Sequence, residues 1–183
     1  MLKVHIPGGT LWDEANEQFI TTEDTTLKLE HSLHSIDKWE SIWHKPFLKK
    51  FQNGITAEEI ESYIKCMTTN EEEVDPNVYR FITNKDLSEI NKYIGDPMTA
   101  TTIQRPPVKR TGAPKVITSE VLYYDMIIFN IPFECQYWHL NKLLTLIEVC
   151  DVKANPGKMS MRETMLSNKE INAMNRAKFN SKG

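Results

Sequence analysis

The sequence has few of the features that assign a compartment or a catalytic class. Cys66, Cys135 and Cys150 are an odd number of cysteines, without the short paired spacing of a disulfide framework or a zinc motif. The amino terminus, MLKVHIPGG, lacks the basic and then apolar run of a signal peptide. We therefore expect reduced and largely buried thiols, no disulfide, no metal, no cofactor, and a chain that stays in the cytoplasm.

A membrane-spanning segment is also missing. The most hydrophobic stretch is Ser119–Val152, but Asp125, Asn130, Pro132 and Glu134 interrupt it. A helix needs about 20 consecutive apolar residues to cross a bilayer. Mean hydropathy over the chain is -0.46. We expect a soluble protein without a membrane partner.

Charge is distributed unevenly along the chain. The 183 residues carry a net charge of -3. From Lys153 onward there are seven Lys and Arg residues and two Glu residues, so this segment carries +5 and the remainder carries -8. The two parts are therefore able to attract each other or to bind different partners.

The stretch Ser119–Val152 predicts a helix, a break and a second helix. The first half is apolar on nearly all sides, which predicts a helix in the centre of the core, with Ser119 as its N-cap and Asp125 at a rim or paired with a base. Pro132 lacks the amide that a continuing helix needs. The second half carries apolar residues at three- and four-residue spacing, which predicts a buried face: Leu140, Leu143, Leu144, Ile147 and Cys150.

Alternation of apolar and polar residues is confined to the first thirty positions. Leu2, Val4 and Ile6 alternate with polar residues, which predicts a half-buried strand ending in a turn at Pro7-Gly8-Gly9. A hairpin is expected to follow. Its second arm is either Glu17–Thr21 or Thr25–Glu30.

Helical spacing dominates after that. One helix is expected to start at a cap on Ser32 or Ser35 and to end near His44-Lys45-Pro46, with an inward face of Leu33, Ile36, Trp39, Ile42 and Trp43. Thr56 and Glu59 form a capping box for the next helix. A helical turn is predicted at Asn77–Phe81, and Thr83 or Asn84 caps a helix at Lys85–Ile94.

These patterns predict a mainly α fold with a small N-terminal β-hairpin or β element. Residues 1–30 form the β element, and residues 31–152 form a helical core that contains a mobile loop at 98–117. Residues 153–183 form a basic C-terminal helical tail. Its helix is predicted at Met161–Phe179, with a thin apolar stripe at Met165, Leu166, Ile171 and Met174.

Candidate catalytic and metal-binding residues are few. Cys135 and His139 lie four residues apart, at the spacing of one helical face, and Cys150 follows. Three scattered residues do not make a closed zinc site, and a nucleophile with its base needs a third orienting group. We favour buried thiols and an ordinary polar histidine by about ten to one. Glu71, Glu72 and Glu73 are interpreted as a solvated charge run. We predict no catalytic residues and no metal ligands.

A nucleic-acid interface is the weaker interpretation of the basic loop. Arg105, Lys109, Arg110 and Lys115 lie among prolines, so an extended arm that contacts nucleic acid or an acidic protein is one alternative. A solvated loop is favoured over it. The tryptophans at helical spacing, Trp39, Trp43 and Trp138, are expected in the core and not as stacking platforms for bases.

Several strings, in order, resemble one family. They are WESIWHKPFL, SYIKCMT, DPNVYRFIT, DPMTAT, ITSEVLYYDMIIFNIPFECQYWHLNKLLTLIEVC and a basic tail that ends in Lys-Gly. Together they resemble small proteins encoded among the tail genes of tailed bacteriophages, in particular tail assembly chaperones. The stretches 39–48 and 131–150 are the most specific. The resemblance implies a largely helical, non-enzymatic protein whose partner is the tape measure protein, kept soluble until the tail tube polymerises around it.

A second function remains open beside the chaperone. In this second interpretation the chain is a structural tail or head-tail completion protein that is retained in the virion. The expected location is the cytoplasm of the infected bacterial host, or the virion. Expected partners are the tape measure protein, the tail tube or a second copy of the chain, and not nucleic acid. Arg162, Arg176 and Lys178 of the tail are the predicted partner-binding residues, unless the tail packs on the acidic remainder of its own chain.

Overall fold

The computed structural model describes residues 1–14, 16–49, 54–103 and 116–154. The strands are β1 Leu2–Ile6, β2 Gly9–Asp13, β3 Gln18–Thr22 and β4 Thr25–Leu29. The α-helices with complete bounds are α1 Leu33–Trp43, α2 Ala57–Met67, α3 Asn84–Ile94, α4 Ser119–Ile128 and α5 Leu140–Ala154. Short 3₁₀ helices lie at Glu71–Glu73, Pro76–Phe81 and Phe133–Tyr137. The prediction of a mainly α fold with an N-terminal β element is confirmed.

The β element is one long hairpin that is interrupted in the middle. β1 pairs antiparallel with β4, from Leu2 opposite Leu29 to Ile6 opposite Thr25. β2 pairs with β3 in the same register, from Gly9 opposite Thr22 onward. Of the two predicted second arms, Thr25–Glu30 is therefore the partner of β1. The other arm overlaps β3, whose partner β2 begins within the predicted turn.

Gly8 lies at the interruption between the two halves of the hairpin. A Cβ atom built on it would come within 2.6 Å of the carbonyl oxygen of Thr22, so only glycine fits there without movement of the backbone. The backbone N–H of Gly8 donates to the Asp24 carboxylate at 2.7 Å. This contact holds the two strands together where the regular ladder stops.

Three helices begin with the capping residues that local sequence predicts. Ser32 caps α1, Thr56 caps α2 in a capping box with Glu59, and Thr83 caps α3 in a box with Asp86. In each box the side chain of the first residue accepts the backbone N–H three residues on. For α1 and α3 the structure thus decides between the two predicted caps.

Helix α1 lies against α2 and α4, and Trp39 is at the centre of that packing. The Trp39 side chain is completely buried, and its indole N–H donates to the carbonyl oxygen of Glu59 in α2 at 3.0 Å. Trp43 is half-buried and donates to Ser62 at 2.9 Å. Ile42, predicted on the inward face, is 61% exposed, and this part of the prediction is wrong.

The chain divides into two units, Met1–Ile147 and Glu148–Gly183. Of the second unit the structure describes 148–154, the last part of α5. Within the described ranges, none of the helices has the length and apolar composition needed to cross a bilayer. Residues 98–103 and 116–118 have no regular secondary structure, as expected for the predicted loop, whose other residues lie outside the described part.

Candidate functional site: an exposed apolar surface on helix α4

Helix α4 is apolar on two sides, but only one of them is buried. Successive residues of an α-helix are rotated by about 100°, since a turn takes 3.6 residues. Leu122 and Met126 share one side and are almost completely buried, whereas Tyr124, Ile127 and Ile128 share the opposite side and are exposed. The prediction that this helix lies in the centre of the core is therefore wrong for half of its circumference. Asp125 is half-buried between the two sides, at the predicted rim.

The 3₁₀ helix Phe133–Tyr137, which follows α4, exposes two more aromatic rings, and that of Tyr137 lies 5.1 Å from the His34 ring of α1. The Tyr123 hydroxyl donates to the Gln136 side chain at 2.9 Å, and the ring centroids of Tyr123 and Phe133 lie 6.4 Å apart. Five side chains are each more than half exposed, at 52 to 61%, and we call them the α4 surface: Tyr124, Ile127, Ile128, Phe133 and Tyr137. Large apolar side chains grouped in this way on a protein surface often mark an interface.

The start of α4 is fixed by two acidic side chains of α1. Glu40 is buried, and one of its carboxylate oxygens accepts the backbone N–H of Ser119 at 2.7 Å while the other accepts that of Phe47 at 2.7 Å. The Ser119 hydroxyl donates to Asp37 at 3.1 Å. Ser119 is thus the first helical residue and not the predicted cap. Thr118 occupies the cap position without a side-chain hydrogen bond to the helix.

The end of α4 is set by Asn130, two residues before the proline. Asn130 has a positive φ of 50°. The N–H of Ile131 donates to the carbonyl of Met126 at 2.9 Å, and the N–H of Asn130 donates to that of Ile127 at 3.2 Å. This is the Schellman pattern, in which a left-handed residue closes a helix. Ile131 and Met126 are both buried, as the pattern favours, and the chain turns directly into the 3₁₀ helix.

A buried cluster around two histidines joins the hairpin to α5. His31 and His139 lie with ring centroids 5.1 Å apart, and the backbone N–H of Leu140 donates to the carbonyl of His31 at 2.7 Å. The Nδ1 atom of His31 shares a hydrogen bond of 2.6 Å with the Tyr63 hydroxyl. Burial, and secondly the nearby His139, lower the pKa of His31 to about 3. His31 is therefore neutral at neutral pH.

Both ring nitrogens of His139 have hydrogen-bond partners. Its Nε2 atom lies 3.0 Å from the carbonyl oxygen of Tyr93, which only accepts, so Nε2 carries the proton. Its Nδ1 atom accepts the backbone N–H of Asn141 at 3.3 Å. His139 thus holds α3 against the start of α5, and neither nitrogen is left over to act as a base.

The two buried cysteines, Cys66 and Cys135, are poor nucleophiles. Burial raises the pKa of Cys66 to about 11, and burial also raises the pKa of Cys135. Both thiols are therefore protonated at neutral pH. Cys135 lies in the 3₁₀ helix whereas His139 follows it, so the two do not share the predicted helical face. In the part of the chain that is described, no group of three or more potential ligands is arranged for a metal ion.

The acidic run and a polar groove lie beside each other. Glu71, Glu72 and Glu73 are exposed, as predicted for a solvated run, and Glu71 pairs with Lys38 at 3.1 Å while Glu73 pairs with Lys28 at 3.5 Å. They line an open groove of about 530 Å³, which also includes Tyr137 of the α4 surface. The walls carry both signs of charge, from Lys28 and Lys38 and from four glutamates.

The other predicted interface residues fall outside the described ranges. They are Arg162, Arg176 and Lys178 of the tail, and Arg105, Lys109, Arg110 and Lys115 of the loop. Trp39 is in the core as predicted, but Trp138 is 38% exposed, with the Lys142 ammonium 4.3 Å from its ring centroid.

Comparisons with protein-family models, curated proteins and solved structures found no match to this chain.

Proposed function

We propose that this chain is a non-enzymatic protein of virion morphogenesis in a tailed bacteriophage, and that it acts by binding another protein through the α4 surface. The observation that supports this most strongly is the exposure of Tyr124, Ile127 and Ile128 on a helix that is also anchored firmly from within. Exposing apolar area to water is unfavourable by about 25 cal/mol per Å². A bound partner would remove that cost.

The composition of the α4 surface supports a protein partner over a small ligand. Aromatic side chains are enriched in the centres of protein interfaces, where they bury much area with little loss of side-chain entropy. Three of the five side chains are aromatic, and Tyr124, Ile127 and Ile128 stand on the exposed side of a helix, which is convex. Small-molecule sites, in contrast, are usually concave.

The buried polar residues support a structural role. His31 is neutral at neutral pH, both histidines are hydrogen-bonded to neighbouring elements, and burial raises the pKa values of Cys66 and Cys135. General acid–base catalysis favours a group whose pKa is near the working pH and which reaches the substrate. The two histidines instead connect parts of the fold, and the two thiols are buried.

The specific role we propose is that of a tail assembly chaperone for the tape measure protein, in the cytoplasm of the infected bacterial host. This rests on the resemblance of the stretches 39–48 and 131–150 to such chaperones. Residues 131–137 contribute Phe133 and Tyr137 to the α4 surface. The test is co-expression with the tape measure protein of the same phage. Co-purification is expected, with more tape measure protein in the supernatant than when it is expressed alone.

The alternative, a structural protein retained in the virion, predicts a different distribution. Mass spectrometry of purified particles and of infected-cell lysates separates the two. A chaperone is found in lysates and not in particles, whereas a tail or head-tail completion protein is abundant in particles.

The basic tail remains a second predicted contact, independent of the α4 surface. Arg162, Arg176 and Lys178 are proposed to bind an acidic surface of a partner. Deletion of residues 161–183 tests this. If the tail binds the partner, the truncated chain keeps its melting temperature but no longer co-purifies with the tape measure protein. Unfolding on truncation, or unchanged association, contradicts the assignment.

A further inference from the structure

The charged residues of α4 and of the 3₁₀ helix Phe133–Tyr137 all have one sign. Between Val116 and Asn141 the sequence contains Glu120, Asp125 and Glu134 but neither Lys nor Arg. Glu120 and Glu134 are exposed, and Glu120 lies one turn before Tyr124 on the same side of α4. Hydrogen bonds from the Thr118 side chain and from its own backbone N–H lower the pKa of Glu120, so it is charged at neutral pH. The two elements that carry the apolar side chains thus give them an acidic border. Bases come from other elements: Lys142 of α5 lies 4.3 Å from the ring centroid of Trp138, and Lys38 of α1 lines the groove beside Tyr137.

The shape of the α4 surface suits a helix. Tyr124, Ile127 and Ile128 follow the spacing i, i+3 and i+4, which forms one ridge along α4. Phe133 stands beside this ridge, because its ring packs toward Tyr123, one turn before Ile127. A ridge of this spacing is the feature that packs into the groove between side-chain rows of a second helix.

A second copy of this chain fits the border poorly. In a twofold dimer in which α4 packs on α4, the acidic residues of one helix would face an apolar or acidic helix of the other copy, since α4 carries neither Lys nor Arg. Like charges brought together at an interface are unfavourable. A partner with Lys or Arg at its edge would instead pair with Glu120 and Glu134.

We propose that the α4 surface binds an amphipathic helical segment of a partner protein, one with an apolar stripe flanked by Lys or Arg. The apolar stripe covers Ile127, Ile128 and Phe133, and the basic flank lies along Glu120 and Glu134. This inference deepens the proposed function, because it gives the chemistry of the segment that the protein recognises.

The experiment uses three synthetic helical peptides and the full chain. One peptide has a leucine stripe flanked by Lys, the second has the same stripe flanked by Glu, and the third has Lys flanks with Ser in place of Leu. Fluorescence anisotropy measures the affinity of each. The Lys-flanked leucine peptide is expected to bind at least about tenfold more tightly than either of the others. Equal affinity for the Lys and Glu peptides, or no binding of the leucine peptides, overturns the proposal.

Single substitutions locate the binding surface. Ile127→Ser and Ile128→Ser are each expected to weaken the Lys-flanked leucine peptide about five- to thirtyfold, and Glu120→Gln is expected to weaken it a few-fold and to reduce its salt dependence. Ile42→Ser is the matched control, because Ile42 is as exposed as Ile127 but lies on α1. An equal loss with Ile42→Ser contradicts the assignment. Circular dichroism of each variant confirms that these exposed substitutions leave the fold intact.

Two further outcomes have distinct meanings. Self-association that Ile127→Ser abolishes would show that a second copy covers the surface, and the inference would be wrong. Peptide binding without association with the tape measure protein would support the inference while contradicting the proposed chaperone role. Association with the tape measure protein that Ile127→Ser leaves unchanged would contradict the inference and the assignment of binding to the α4 surface, but not the chaperone role.

Discussion

The carboxylate of Glu40 accepts the backbone N–H of Ser119 at 2.7 Å, so a side chain of α1 anchors the first residue of α4. Glu40 is buried, and its second oxygen accepts the N–H of Phe47 at 2.7 Å. A carboxylate at a helix N-terminus also interacts favourably with the helix dipole. The exposed side of α4 is therefore held in a fixed orientation by a contact on its opposite side.

Replacing Glu40 should release that anchor. Glu40→Ala leaves two buried backbone N–H groups without their acceptor and should lower the free energy of unfolding by about 2 to 4 kcal/mol. A urea titration measures it. The control is Glu61→Ala, because Glu61 forms a half-exposed pair with Lys65 at 2.7 Å whose loss should cost about 0.5 kcal/mol or less. Equal effects of the two substitutions would show that the Glu40 contacts contribute little.

Asn130 should tolerate glycine but not valine. Its φ of 50° is in the left-handed region, which glycine adopts freely and β-branched residues avoid. We expect Asn130→Gly to change the free energy of unfolding by less than about 1 kcal/mol, and Asn130→Val to lower it by about 1 to 2 kcal/mol. Thermal melting of both variants measures this. Valine as stable as glycine would mean that the Schellman closure does not form.

His31 should make the protein less stable in acid. Its pKa is lowered to about 3 by burial and by His139, whereas the unfolded value is 6.5. The unfolded state therefore takes up the proton first as the pH falls. The contribution of His31 to stability is complete above about pH 6.5 and is lost progressively toward pH 3, by about 2 kcal/mol between pH 7 and pH 5.

Removing the titrating group tests that assignment. His31→Gln keeps a polar partner for the Tyr63 hydroxyl, so its stability should fall less steeply than that of the wild type between pH 7 and pH 5. Urea titrations at several pH values give both slopes. Parallel slopes would show that other groups cause the acid sensitivity.

The leucines of α5 should differ in their contributions. Leu143 is completely buried, whereas Leu144, assigned to the same buried face from sequence, is half-buried. Leu143→Ala should lower the free energy of unfolding by about 2 to 5 kcal/mol, and Leu144→Ala by less. Urea titrations of both variants measure this. A larger effect at Leu144 would contradict the orientation of α5.

Features that depend on neighbouring residues were predictable from sequence. The caps at Thr56 and Thr83 and the alternation of Val4 and Ile6 are local, since each is set by residues a few positions apart. The sequence alone does not decide which segment pairs with β1, because both candidate segments alternate between apolar and polar residues. The choice requires the register with β1, which depends on packing of the whole element.

The candidate site was harder to predict. Hydrophobicity on all sides of a helix normally means burial on all sides, and the exposed side of α4 carries no sequence signal that separates it from the buried one. The anchor between Glu40 and Ser119 joins residues that are far apart in sequence. The left-handed Asn130 has a local signal, because asparagine shortly before a proline is typical of a helix end, but Pro132 by itself already predicts the break.

Photo-crosslinking from position 124 tests the central claim most directly. A benzophenone amino acid replaces Tyr124 in the full chain during phage infection, and the matched control carries it at Ile42, which has the same exposure of 61% on α1. If the α4 surface binds the tape measure protein, irradiation crosslinks position 124 to the tape measure protein and position 42 does not. Crosslinks to the tape measure protein from position 42 alone, or from neither position, would contradict the account.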